Sequence, residues 1–95
     1  MELTLGNSLK IGPEVVFREL DDEAVLLNLK SGIYFGLNPV GTRIWQLISE
    51  HGALSQVLNV LSDEFAADRD VLEHDLLELS AELCSRGLAE VGAAS

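Results

Sequence analysis

Cysteine occurs once in this chain of 95 residues, at position 84, so no intramolecular disulfide can staple the fold and a reducing, cytoplasmic setting is expected. Basic residues are almost as scarce. Six of them (Lys10, Arg18, Lys30, Arg43, Arg69, Arg86) stand singly among 16 acids, for a formal net charge of −10. Nucleic acids and anionic membranes are bound through clustered Lys and Arg that displace counterions, so neither is expected as a partner. Long apolar runs are missing, and with them any membrane-spanning segment. The start Met1-Glu2-Leu3-Thr4-Leu5 has neither the basic residues nor the apolar stretch of a secretion signal.

Groupings that carry catalysis are missing as well. His51, His74 and Cys84 make no metal-ligand set. His74 and Glu78 fall on one helical face, the pattern of a solvated pair. Cys84 lies ten residues after His74, about 15 Å along a helix, which is too far for a nucleophile and its base. Gly32, Gly36 and Gly41 fit neither the Walker nor the dinucleotide spacing. The expectation is a protein that is not an enzyme and needs no cofactor and no metal.

What the chain does have is apolar content, 47% of its residues, enough for one packed core. Strand-like segments fill the first half and helix-like segments the second, an order that predicts an α+β fold. The expected organisation is a flexible lead-in over residues 1–14, one domain over 15–91 and a tail over 92–95. Val15 to Leu20 and Glu23 to Lys30 read as two strands around Asp21-Asp22. The next turn is assigned by asking which register keeps apolar residues together. A three-residue loop pairs Leu29 with Ile33, Leu27 with Phe35 and Val25 with Leu37, and puts Tyr34 and Gly36 on the other face with Asn28 and Leu26.

Asn38-Pro39 predicts the start of a first helix and Gly52 its end. Leu54, Val57, Leu58, Leu61 and Phe65 mark a second. A third opens near Asp68 to Asp70, with Asp70 and Glu73 spaced as a capping box, carries the stripe Leu72, Leu76, Leu79, Leu83, and ends at Gly87. Leu88 to Val91 reads as a short strand or a docked tail.

Of the two edges of such a sheet, the first strand carries Arg18 and Glu19, whereas Ile33-Tyr34-Phe35-Gly36-Leu37 carries no charge. Soluble proteins normally guard an edge strand. This one is open to pairing or already covered. With the third helix alongside, its backbone forms one wall of a groove and the helix the other, the geometry for adding a partner's extended segment as a further strand. Asp75, inside the leucine-rich run, stands beside the apolar stripe.

Val25-Leu26-Leu27-Asn28, Gly32-Ile33-Tyr34, Leu37-Asn38, Gly41, Ile44-Trp45, Leu47, Leu61, Phe65, Val71, Asp75 and Gly87-Leu88 together resemble the PqqD-like family, also called RiPP recognition elements, in one register from about Val15 to Val91. The resemblance implies a winged helix-turn-helix-like arrangement, a three-stranded antiparallel sheet followed by three helices. It also implies a peptide chaperone that binds the leader of a ribosomally made precursor and presents it to a modifying enzyme. The binding positions it implies are Ile33, Tyr34, Phe35, Gly36 and Leu37 on the strand and Val71, Leu72, Asp75, Leu76 and Leu79 on the helix. Members serving quinone-cofactor synthesis show a Pro-Glu-Gly-type turn where this chain has Lys30-Ser31-Gly32. Free-standing members of similar length serve lasso-peptide pathways, so a leader protease is the expected enzyme. The alternatives are a chaperone for a radical SAM peptide-modifying enzyme and a winged-helix DNA-binding regulator. A monomer or weak homodimer is expected.

Overall fold

Asn38 starts the helical half by the chemistry its sequence suggests: its Oδ1 accepts the Gly41 N–H at 2.7 Å, and Pro39 takes the first helical position. The computed structural model describes residues 3–92. Helix α1 runs Pro39–His51, α2 Leu54–Glu64 and α3 Arg69–Ser85. Gly52 and Gly87 end α1 and α3 at φ 77° and 71°, a backbone region that disfavours side chains. After α3 the Leu88 N–H reaches back to the Leu83 carbonyl (2.9 Å) and the Gly87 N–H to that of Cys84 (3.2 Å). This pattern turns the chain sharply and buries Leu88 completely.

The predicted capping box does not form. Helix α3 begins at Arg69 with Asp68 as its cap residue and no side-chain cap bond, so Asp70 already lies in the first turn. The helix start is fixed from the side instead. Arg69 donates to Asn59 Oδ1 (2.8 Å) and Ser62 Oγ (3.2 Å) of α2.

Among the described residues there are five strands: β1 Ser8–Ile11, β2 Val15–Leu20, β3 Glu23–Asn28, β4 Tyr34–Leu37 and β5 Ala89–Gly92. Strands β2, β3 and β4 form the expected antiparallel meander, so the architecture is α+β with a three-stranded sheet and three helices. A second, two-stranded sheet joins β1 to β5, with Leu9 opposite Val91 and Ile11 opposite Ala89. The lead-in expected over residues 1–14 therefore contains a paired strand, in which Leu9 enters the core. Gly92, expected to open the tail, closes β5. Residues 1–2 and 93–95 lie outside the described residues.

The register between β3 and β4 differs by one from the expected one. Leu26 faces Phe35, Ala24 faces Leu37, and Leu27 faces Tyr34. Consequently Ala24, Leu26 and Asn28 point inward, while Val25 and Leu27 lie on the outer face, half-buried, and Leu29 is 61% exposed. Phe35 and Leu37 face the core side as expected, but Ile33 is 38% exposed. The reason is Asn28. Its Oδ1 accepts the N–H groups of Lys30 (2.9 Å) and Ser31 (3.2 Å), and its Nδ2 donates to the Gly87 carbonyl at 3.0 Å. A polar side chain so fully bonded can be buried at little cost, and it closes a four-residue loop, Leu29 to Gly32. Counting apolar residues alone selects against that loop.

The core lies between the inner face of the meander and the helices. Trp45 stacks on Phe17 with centroids 6.3 Å apart, joining α1 to β2. Leu26, Ile44, Leu58, Leu61 and Leu76 are fully or almost fully buried.

Candidate functional site

Among the described residues, strand β4 pairs with β3 along one side and with no strand along the other. On its other side, across from α3, lies an open cleft of about 420 Å³. The strand wall is Phe35, Gly36 and Leu37. The first turns of α1 contribute Asn38, Val40, Gly41 and Ile44 to the floor, and α3 contributes Asp75, Glu78, Leu79, Glu82 and Arg86. Unpaired backbone groups, an apolar floor and a charged helix wall thus meet in one concave surface. The two walls are tied at the hairpin end. Asn28 bonds the Gly87 carbonyl there, and the Arg86 guanidinium lies 5.1 Å from the Phe35 ring centroid while donating to Glu82 at 3.0 Å.

Among the residues expected to bind, Phe35, Gly36, Leu37, Asp75 and Leu79 line this cleft. Tyr34, 69% exposed, stands on the outer face of the same strand, and Ile33 precedes it at the hairpin. Val71, 52% exposed, sits one helical turn before Asp75. Leu72 and Leu76 do not belong to the surface: they are 3% and 0% exposed and pack in the core. The expected α3 stripe holds at Leu72, Leu76 and Leu83 and differs at one position. The helix buries Leu72, Leu76, Ser80 and Leu83, and the small Ser80 takes the place assigned to Leu79, which turns toward the cleft.

The cleft residues missed from sequence are Asn38, Val40, Gly41, Ile44, Glu78, Glu82 and Arg86. For the α3 members a signal was available, because positions 75, 78, 79, 82 and 86 repeat at helical spacing and share one face. The α1 members had none, since their contribution depends on how the helix sits against β4.

Other chemistry is thin. Cys84 is half-buried, and burial pushes its thiol up from the ordinary range, which makes a poor nucleophile. His74 and Glu78 form an exposed pair at 2.9 Å. Among the described residues no three His, Cys, Asp or Glu side chains are grouped to hold a metal, and no helix is long and apolar enough to cross a membrane.

The PqqD family model, described as coenzyme PQQ synthesis protein D, matches residues 23–89, which span β3, β4, the three helices and the start of β5. The chain belongs to the PqqD family. Two solved structures are similar to this PqqD-like chain. TbiB1 in complex with the TbiA(beta) leader peptide is 40% identical with a TM-score of 0.80, over 90% of this chain and 99% of its own. Lasso peptide synthetase B1 complexed with the leader peptide is 28% identical with a TM-score of 0.77, over 87% of this chain and 98% of its own. No curated protein matches the sequence.

Proposed function

We propose that this PqqD-like protein binds the leader region of a ribosomally made precursor peptide as an added strand on β4, against α3, and hands it to a modifying enzyme, the leader protease of a lasso-peptide pathway. The observation that carries this reading is the unpaired edge of β4 facing α3 across a cleft with an apolar floor. Main-chain bonds to β4 supply affinity and the cleft receives alternate side chains of the added strand. Val71, Asp75 and Leu79 read the peptide from the helix side, and Ile33 to Leu37 from the strand side. The two similar structures support the reading because both are complexes with leader peptides, and one of them, a lasso peptide synthetase B1, favours the protease over a radical SAM partner. The protein acts as a cytoplasmic binding module, without catalysis of its own.

A labelled leader peptide titrated against wild-type protein and a Leu79→Asp variant tests this. Leu79 is only half-buried, so the variant should keep its helical circular dichroism. Its affinity should fall tenfold or more, about 1.4 kcal/mol. Equal affinity in a folded variant, or no saturable binding by the wild type, overturns the proposal. Leu76→Asp is unsuited to the purpose because a buried carboxylate there disrupts the core.

A further inference from the structure

The helices cover one face of the meander; the other carries an apolar surface that extends from Tyr34 and Gly36, at the groove, across β3 to β2. Across it run the row Val16, Leu27, Tyr34 and the row Arg18, Val25, Gly36, each aligned by strand pairing. Val16, Val25 and Leu27 are half-buried, and Tyr34 and Leu20 are about two-thirds exposed at 69% and 67%. Gly36 leaves its row open, since a side chain there would meet nothing within 4 Å. Beside it a hollow of about 460 Å³ is lined by Leu20, Val25 and Gly36, with Asp21 and Glu23 at its rim. Contiguous exposed apolar surface with a polar border marks an interaction site more often than it is tolerated idly.

We propose that this outer face docks the protein that acts on the bound peptide, through a partner surface with an apolar centre and basic side chains around it. The inference rests on the leader-binding reading for the identity of the occupant. Charge selects the partner's chemistry: Glu14, Asp21, Asp22 and Glu23 border the face, against Lys30 at its edge and Arg18 within it. A second copy of this chain would bring the same acidic border against itself, in a molecule of formal net charge −10. A basic-rimmed partner gains where a homodimer loses. Position supplies the second argument. A peptide strand added to β4 sends alternate side chains to this same face, beside Tyr34 and Gly36, so one docked enzyme touches chaperone and peptide together. Peptide-loaded protein therefore binds the enzyme more tightly than the empty form.

The test uses the full chain, its labelled precursor peptide and the purified protease that cleaves that precursor. The double variant Val16→Thr, Leu27→Thr keeps strand-favouring residues or small polar ones on the face and stays out of the groove. A second variant, Asp21→Asn, Asp22→Asn, Glu23→Gln, removes rim charge at the β2–β3 turn, where Asn tolerates the positive φ of Asp21. Both should bind the peptide within about twofold of wild type and require roughly tenfold more chain for half-maximal stimulation of cleavage, the scale of losing one good interface contact. Unchanged stimulation in both overturns the docking face. Loss of peptide binding in the variants overturns it too, because the face would then belong to the groove. So does a wild-type dimer by light scattering that the double variant abolishes. If the wild type fails to bind peptide, the leader-binding reading falls separately, and direct capture of the protease by the empty chain still decides the face.

Discussion

Asn28 is 9% exposed, yet every polar atom of its amide is engaged: Oδ1 closes the β3–β4 turn, and Nδ2 holds the carbonyl of Gly87, where α3 ends. One side chain thereby sets the register of β4 and its distance from the helix that faces it. Replacement by Leu keeps the size but leaves the Gly87 carbonyl and the turn N–H groups without this partner. A buried group deprived of its hydrogen bond costs about 1–3 kcal/mol. Asn28→Leu should therefore lose roughly 2 kcal/mol in urea unfolding and weaken leader binding as well, because the groove's tied end opens. Asn28→Asp keeps the acceptor for the turn but sets a second carboxylate oxygen against the Gly87 carbonyl in a buried place, so at neutral pH it should be no more stable than the Leu variant. A Leu variant as stable as wild type would remove Asn28 from this role.

Among the elements, α1 and α2 are joined outside the core by a two-point ion pair. Arg43 donates through Nε to Glu64 Oε1 (2.7 Å) and through Nη2 to Oε2 (2.6 Å). The guanidinium hydrogen bonds hold the Glu64 carboxyl below its ordinary value of 4.5. A carboxylate with a depressed folded pKa contributes stability above its unfolded pKa and loses it as pH falls through the folded one. The pair's contribution should thus be complete at neutral pH and disappear below about pH 4.5. Both partners are about one-third exposed (34% and 35%), so solvent screening limits it to about 0.5 kcal/mol. Glu64→Gln should be less stable than wild type by that amount at pH 7, with the difference shrinking as pH falls below about 4.5. A gap that does not shrink in acid points to packing rather than charge. The elements also mark how far the sequence could be read. The Asn38-Pro39 start and the Gly52 and Gly87 stops follow from local chemistry, and they are where they were expected. What failed depended on distant partners. The inward side of β3 depends on Gly87, 59 residues from Asn28. The start of α3 depends on Asn59 and Ser62, and β1 becomes a strand through β5 at the far end of the chain. The α3 face was misread because Ser80, a small polar residue, occupies a core position. The uncharged β4 edge was legible; of the leucines opposite it, Leu79 lines the cleft as expected, whereas Leu72 and Leu76 lie in the core.

For the molecule as a whole, the excess of 16 acids over 6 bases falls partly on the groove itself. Its helix wall holds Asp75, Glu78 and Glu82 against Arg86 alone, and Arg86 is already spent on Glu82 and the Phe35 ring. The field at the groove mouth therefore attracts cationic segments and repels anionic ones over a distance set by ionic strength, about 10 Å at 0.1 M salt. Long-range attraction of this kind speeds encounter, whereas in the proposed binding mode the lifetime of the complex is set by strand pairing and the apolar floor. Two leader peptides identical in the pairing segment, one flanked by lysines and the other by glutamates, should separate these effects. By stopped-flow, the lysine form should associate roughly tenfold faster at low salt, and the advantage should shrink severalfold at 0.5 M NaCl. The two dissociation rates should stay within about twofold of each other, because the flanking charges leave the groove contacts unchanged. Association rates that ignore both flank charge and salt would leave the acidic surface with solubility as its only role. Equal association rates with unequal dissociation would instead place the carboxylates of α3 in direct contact with the flanks.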